Sequence, residues 1–218
     1  EAPPTRSPLQ PAAEAPTRQA AGKAEVLRSE GASEPGKPRI LFLDVETLRS
    51  AEEVGGWGRI REMGIALAVV YDTARGEFRT FLPAEADRLA VQLLSADLVV
   101  GFNIRRFDYE VLRAASEADF SKIPTLDMLE EIHARLGFRL SLGHLAEATL
   151  GVSKSADGLQ SLRWVREGRM DLVETYCRHD VEITRDLYEF GRRHGYLLFL
   201  DREGRRVRCP VSWAAAAP

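Results

Sequence analysis

Cysteines, long apolar runs and net positive charge are what this 218-residue sequence has little of. Cys177 and Cys209 are its only cysteines, and two in a chain of this length exclude a disulfide framework and a structural zinc site. No apolar run approaches the roughly 20 residues of a transmembrane helix, so we expect no association with a membrane. Because the net charge is −3, any binding of nucleic acid must depend on a local patch or on bound metal ions.

The two ends of the chain lack the features of ordered or targeting segments. The N-terminus has neither the basic start nor the apolar stretch of a secretory signal, and with reduced thiols this predicts a cytoplasmic protein. It begins at Glu1 rather than at Met, as expected of a fragment or a processed form. Residues 1–37 contain no aromatic side chain and no apolar periodicity, so we predict a disordered Pro/Ala-rich tail or linker there, acting as a tether or only as a spacer. Residues 214–218 are predicted to be a disordered C-terminal tail.

The remaining residues, 38–213, carry the hydrophobic patterns of one globular domain. Apolar runs of strand length occur at five places: 40–43, 63–71, 78–82, 98–103 and 124–129. Helical periodicity is found at 109–118, 141–151, 158–167 and 171–193, and in a helix that starts at Pro83 with Leu89, Val91, Leu93 and Leu94 on its inner side. A hairpin is predicted within 196–209. This order predicts an α/β fold with a central mixed sheet of five strands and helices on both sides.

Two carboxylates follow the first buried strand directly. Ile40–Leu43 runs without interruption into Asp44 and Glu46, whose side chains point the same way because side chains alternate along a strand. Two acids at the end of a buried strand are destabilising unless a positive charge lies between them, and a divalent ion with oxygen ligands supplies that charge. The alternative is a strand that runs out into solvent, where both carboxylates are hydrated.

Two further acids lie at positions that favour a shared site. Asp108 is at the start of a helix just past the strand at 98–103, although the helix dipole alone also favours an acid there. Asp180 lies four residues after Tyr176 in the last long helix, so both project from one helical face. That face is otherwise apolar, and Asp180 therefore needs a partner, either in a functional cleft or as an ordinary structural contact.

Taken in this order, Asp44, Glu46, Asp108 and Asp180 resemble the acidic set of the DEDD exonucleases of the ribonuclease H-like superfamily. Asp-Val-Glu-Thr at 44–47 resembles the first motif of that family. Residues 102–108, in which an Asn is followed by an aromatic residue and Asp, resemble the second motif. The resemblance covers roughly residues 39–209 and implies a ribonuclease H-like fold.

The third motif separates two subtypes of this family. Tyr176-x-x-x-Asp180 resembles the Tyr-type (DEDDy), whereas the His-type carries His five residues before the final Asp, where this chain has Thr175. His179 lies about 100° round the helix from Asp180 and is expected to be non-catalytic. The segment 159–162 and the hairpin ending in Trp213 resemble the YprB-like ribonuclease H-like domains, which in some proteins stand beside repeats or helicases.

The resemblance implies a metal-dependent 3′–5′ exonuclease that acts on single-stranded DNA or RNA and releases mononucleotides. Two Mg²⁺ or Mn²⁺ ions are the implied cofactors, with Asp44, Glu46, Asp108 and Asp180 as their ligands. Tyr176 would orient the attacking water or help to deprotonate it; because an unperturbed Tyr has a pKa near ~10, we expect positioning to outweigh base catalysis. A helicase or another repair or processing protein is the implied partner.

Five residues near these motifs are candidates for substrate binding: Thr47, Trp57, Asn103, Arg105 and Arg106. Trp57 either stacks on a base or packs over its own loop. Asn103 either hydrogen-bonds the substrate or caps its turn. Arg105 and Arg106 either hold a phosphate or are simply solvated.

Three other features are given structural roles first. Asp127, at a strand end, is expected to make a structural hydrogen bond rather than to bind metal, and His144 is expected to cap or pack. The basic hairpin, formed by Arg202, Arg205, Arg206 and Arg208, is a weaker candidate for nucleic-acid contact.

Two other functions stay open on the sequence. The same fold could serve as a catalytically weak nucleic-acid-binding or docking module attached to a helicase or repair complex. It could also be an endonuclease or a phosphodiesterase acting on small nucleotides, since the chain has no long basic surface.

Overall fold

The computed structural model describes residues 37–152 and 158–213. The two segments predicted to be disordered, 1–37 and 214–218, lie outside the described residues except for Lys37, and both stay predictions.

A mixed sheet of five strands forms the centre of the domain, in the order β3-β2-β1-β4-β5. The strands are β1 (Ile40–Thr47), β2 (Ile65–Asp72), β3 (Glu77–Phe81), β4 (Leu98–Gly101) and β5 (Thr125–Asp127). β1 pairs antiparallel with β2 and parallel with β4, which in turn pairs parallel with β5. The predicted α/β fold with a mixed five-stranded sheet is confirmed.

The α-helices are α1 (Ala86–Leu94), α2 (Asp108–Leu112), α3 (Met128–Leu136), α4 (Leu142–Leu150), α5 (Gly158–Arg166) and α6 (Met170–His194). Short 3₁₀ helices cover Trp57–Glu62, Pro83–Glu85 and Phe120–Lys122. A separate hairpin of β6 (Tyr196–Leu200) and β7 (Arg206–Pro210) follows α6. No helix in the described part of the chain is long and apolar enough to cross a bilayer.

The inner face predicted for the helix after Pro83 is partly wrong. Pro83 starts a 3₁₀ turn and α1 begins at Ala86, so the buried residues are Ala86, Leu89, Ala90 and Leu93, a helical stripe at i, i+3, i+4 and i+7. Val91 falls outside this stripe and is 67% exposed, and Leu94 is also exposed. The helix predicted over 109–118 is shorter than expected, because α2 ends at Leu112.

Alternation along β1 divides the apolar residues between two cores on opposite faces of the sheet. Leu41, Leu43 and Val45 pack with α1 and α2, whereas Phe42 packs with α6 on the other face. Helices therefore cover both faces, as predicted. By the same alternation the side chain of Asp44, two residues after Phe42, lies on the side of α6.

The C-terminal hairpin and Trp213 cover the far half of α6. The indole of Trp213 stacks on Tyr188, with ring centroids 5.8 Å apart, and lies where a side chain at Gly191 would collide with it. Nε2 of His144, on α4, accepts a hydrogen bond from the amide of Leu200 at 3.0 Å. The hydrogen bond gives His144 a structural role by joining α4 to β6, and Trp213 packs closely against α6.

Candidate active site

The site lies where β1 extends beyond β4. The last parallel pair between these strands is Phe42 with Val100, and β4 ends at Gly101, whereas β1 continues to Thr47. The gap beside the end of β1 is occupied by the loop from β4 and by Asp108, the first residue of α2. The sheet geometry thus brings the second motif beside the first.

Asp108 is buried next to Asp44, with only 3% of its surface exposed. Burial is the largest cause that raises the pKa of Asp108 well above its usual value, followed by the charge of Asp44; its own backbone amide and that of Val45 oppose the shift, and Asp127 adds to it. Within the described residues, Oδ1 of Asp108 is shielded from solvent and accepts no hydrogen bond. A buried carboxylate in this state indicates a place for a cation.

Helix α6 adds Tyr176 and Asp180 to the same place. The Tyr176 hydroxyl donates a hydrogen bond to Asp180, and burial, followed by the charges of Asp180, Glu46 and Asp44, raises the pKa of Tyr176 far above its usual value. The acids of the first and third motifs therefore surround one phenol. Asp180 is itself 5% exposed.

Two contacts at the site were missed by sequence reasoning. Ser161 on α5 is fully buried and its hydroxyl donates a hydrogen bond to Oε2 of Glu46 at 2.7 Å. The Cys177 thiol, one residue after Tyr176, donates to the backbone oxygen of Asp44 at 3.3 Å. Ser161 lies in the segment 159–162 that carried the family resemblance, but nothing in the sequence indicates its contact across the molecule.

The donor set fits a hard divalent cation. Ligand atoms of Asp44, Glu46 and Cys177 lie within 4.8 Å of one another, and Asp44, Asp108 and Asp180 each bury one carboxylate oxygen. The Cys177 thiol is a soft donor whose hydrogen is already given to the backbone oxygen of Asp44, and burial, then the charges of Asp44 and Glu46, raise its pKa well above the usual value, so it suits a hard cation less than the carboxylates do. The ligands that remain are carboxylate oxygens, which suit Mg²⁺ or Mn²⁺.

Asp127 has the structural role that was expected. It caps α3 by accepting hydrogen bonds from the amides of Leu129 and Glu130, at 3.0 Å and 3.3 Å. The same carboxylate accepts from the amide of Asn103 at 2.9 Å. Asp127 therefore ties the loop after β4 to the start of α3.

The candidate substrate residues of the second motif make contacts within the protein. Asn103 adopts a left-handed conformation with φ of 66°, and its Oδ1 accepts a hydrogen bond from Arg139 at 2.6 Å. Arg105 donates to the backbone oxygen of Thr125 at 2.6 Å and lies 3.4 Å from Glu130. Arg106 is exposed and lines a neighbouring hollow rather than the cleft of the acids.

A cleft of about 610 Å³ opens beside Asp44 and Glu46. Its wall includes Trp57, which is 64% exposed and makes an edge-on contact with Phe107 at 6.3 Å between ring centroids, and Leu159, which is 62% exposed. Thr47 also lines the cleft, but its hydroxyl donates to the backbone oxygen of Arg49 at 3.0 Å. An apolar wall next to carboxylates is suited to a ligand with one charged and one aromatic part.

The raised pKa of Asp108 predicts that this site lowers the stability of the metal-free fold. We expect Asp108→Asn to stabilise the protein in EDTA near neutral pH, because the amide removes a buried charge and can donate to Asp44. Removing such a buried carboxylate should raise the free energy of unfolding by about 1–3 kcal/mol. For a chain of this size, each kcal/mol raises Tm by about 2–4 °C. Calorimetry of wild type, Asp108→Asn and the control Asp186→Asn, which changes an exposed residue on α6, measures the difference in Tm.

The sign of the pH dependence follows from the direction of the shift. Because folding raises the pKa of Asp108, its protonated form adds stability that is fully present below the unfolded pKa, about 3.9, and is lost as pH rises through the folded pKa. The gain from Asp108→Asn should therefore be small at low pH and grow towards neutral pH. A variant less stable than wild type at pH 7 would contradict this assignment.

Comparison with known proteins places the chain in a family. Residues 41–190 match the family model described as the RNase H superfamily. No curated protein matches the sequence significantly. The family B DNA polymerase of the archaeon Pyrobaculum calidifontis superposes with a TM-score of 0.55 at 15% identity, over 72% of this chain and 25% of that one. At this identity the match shows a shared fold only.

Two structures of exonuclease I were also found. The E. coli enzyme in complex with an oligonucleotide gives a TM-score of 0.48 at 16% identity, over 72% of this chain and 40% of that one. A product-bound exonuclease I gives 0.47 at 16% identity, over 72% and 44%. The chain spans from a quarter to less than half of these three proteins. Because the family model covers well over half of its residues, this chain belongs to the RNase H superfamily.

Proposed function

We propose that this protein is a metal-dependent 3′–5′ exonuclease that hydrolyses phosphodiester bonds of DNA or RNA. Two observations support it most: Asp108 is buried beside Asp44, and Tyr176, which is hydrogen-bonded to Asp180, lies within the charges of Glu46 and Asp44. Carboxylates so close together repel one another unless cations neutralise them. Membership of the RNase H superfamily agrees with a nuclease, and the third motif favours the Tyr-type (DEDDy), YprB-like branch.

We propose that these four acids hold two Mg²⁺ or Mn²⁺ ions. Such ions activate a water and neutralise charge during in-line displacement at phosphorus. Ser161 keeps the Glu46 carboxylate oriented, and Cys177 fixes the backbone of Asp44, so both ligands are positioned before substrate arrives. An unperturbed Tyr has a pKa near ~10 and burial raises that of Tyr176 further, so we propose that its hydroxyl mainly positions the attacking water rather than deprotonating it.

The cleft supports a single-stranded substrate. Trp57 presents an exposed aromatic face beside the acids, and an unpaired base can stack on it. Thr47, Asn103, Arg105 and Arg106 stay proposed substrate contacts, with Arg105 the most engaged by the protein itself. We further propose that residues 38–213 form the catalytic domain, that residues 1–37 link it to a helicase or repair partner, and that it acts in the cytoplasm.

Product ladders from end-labelled strands test this function. With Mn²⁺ or Mg²⁺, 5′-labelled DNA or RNA should shorten stepwise from its 3′ end and release mononucleotides, and circular single-stranded DNA should stay intact. Cutting of the circle would show an endonuclease. Binding of the strand without any metal-dependent cleavage would favour the docking module, and cleavage of small phosphodiesters alone would favour the third function.

A further inference from the structure

We infer that Arg49 is a substrate-binding residue whose guanidinium holds a phosphate of the substrate strand other than the one under attack. The inference rests on the proposed function, because it concerns the same cleft. Neither the acidic motifs nor the candidate substrate residues include Arg49.

The backbone of Arg49 is fixed next to the acids. It follows Asp44, Glu46 and Thr47 on the loop that leaves β1, and it lines the same cleft of about 610 Å³. Its amide donates to the backbone oxygen of Met63 at 3.1 Å, and its own oxygen accepts from the Thr47 hydroxyl at 3.0 Å. The root of the side chain is thus held by hydrogen bonds, although the residue is exposed.

Among the described residues that line the cleft, Arg49 is the one basic residue. The other charged residues there are Asp44, Glu46 and Glu52, all acids, and Arg49 is the basic member. A phosphodiester strand brings a negative charge with every nucleotide, so this wall would repel its non-reacting phosphates without Arg49. Cations bound at the acids would serve the phosphate under attack.

The Arg49 guanidinium is available for a ligand. Within residues 37–152 and 158–213 it makes no ion pair and no hydrogen bond. Neighbouring arginines differ: Arg59 is paired with Glu62 at 2.5 Å and Arg166 with Glu53 at 2.9 Å. An uncommitted guanidinium offers a planar set of donors that matches two phosphate oxygens.

The guanidinium of Arg49 lies near the backbone of Gly64. A Cβ at Gly64 would lie 3.8 Å from Nη2 of Arg49 and 3.3 Å from Cδ1 of Leu48, and the residue has a φ of 70°. The absence of a side chain at Gly64 therefore leaves room beside the guanidinium of Arg49, and Arg49 as a whole is exposed.

Kinetics of Arg49→Gln separate positioning from chemistry. On a single-stranded oligonucleotide at low salt, we expect KM to rise about tenfold or more, as for loss of one charged hydrogen-bonded contact, with kcat within about twofold. The slope of log binding constant against log salt concentration should become shallower by the amount expected for one lost phosphate contact. Arg49→Lys should recover part of the loss, and Arg166→Gln, which removes a nearby arginine engaged by Glu53, should behave as wild type.

Neutral linkages locate the phosphate that Arg49 holds. Methylphosphonates are placed one at a time along the strand, starting at the 3′ end. In the wild type, a methylphosphonate at one linkage should raise KM, and this increase should disappear in Arg49→Gln. Increases in KM caused by methylphosphonates at other linkages should persist in the variant. The inference would be overturned if Arg49→Gln had the same KM as Arg166→Gln, or if every methylphosphonate raised the KM of Arg49→Gln as it does in the wild type.

The two proposals fail in different ways. Wild-type protein that cleaves strands while Arg49→Gln is unchanged contradicts the role of Arg49 alone. Wild-type protein that binds strands without cleaving them contradicts the exonuclease, and the same comparison is then made on Kd by fluorescence anisotropy. Absence of any strand binding by the wild type would overturn both.

Discussion

Asp44→Ala and Asp180→Asn should each reduce nucleotide release by about 10³-fold or more, the scale expected when one member of a catalytic set is lost. Asp44 adjoins Asp108, and its charge acts on Tyr176 together with those of Glu46 and Asp180. In the proposed site, loss of either acid would leave too few ligands for two cations. Thermal unfolding in EDTA should be no earlier than in wild type, because each change removes a charge from a repelling group.

Matched carboxylates elsewhere serve as controls. Glu52→Gln neutralises an acid that lines the same cleft without belonging to the set, and Asp186→Asn neutralises an exposed acid on the same helix as Asp180. Both should keep activity close to wild type. Trimming that survives both Asp44→Ala and Asp180→Asn would rule out the proposed function.

Removal of divalent cations should abolish cleavage just as completely. EDTA should stop product formation, and Mn²⁺ or Mg²⁺ in excess should restore it, because in the proposed mechanism bound cations activate the attacking water. The same ions should stabilise the fold, by about 2.7 kcal/mol when their concentration is 100 times Kd. A Mn²⁺ titration followed by Tm and by product formation measures both effects.

The control for this titration is the Asp44→Ala variant. Its Tm should stay constant as Mn²⁺ is added, since the proposed ligand Asp44 is missing. The Tm of Glu52→Gln should increase as it does in the wild type. Activity that is indifferent to EDTA, or an equal rise in Tm for wild type and Asp44→Ala, would contradict a metal site at these acids.

Local patterns were enough to predict the sheet. The strand that begins at Ile40 and the common side of Asp44 and Glu46 follow from apolar runs and alternation, which are properties of neighbouring residues. The inner face of α1 was harder, because Val91 and Leu94 are apolar yet lie outside the stripe formed by small Ala residues. Hydrophobicity alone does not say that Ala86 and Ala90 are the buried positions.

The candidate site was predictable only in part. That Asp108 lies beside Asp44 depends on β4 ending at Gly101 while β1 continues, and no local pattern contains that difference in length. The resemblance to a known family supplied the grouping. The contacts of Ser161 with Glu46 and of Cys177 with Asp44 join segments more than 100 residues apart in sequence, and only the three-dimensional structure reveals them.

Anomalous diffraction from crystals soaked in Mn²⁺ tests the central claim most directly. The account predicts two peaks, about 3.5–4 Å apart, among the carboxylates of Asp44, Glu46, Asp108 and Asp180. The peaks should be lost from crystals of Asp44→Ala. A map without a peak at these acids, or one in which Asp108 or Asp180 turns away from Asp44, would contradict it.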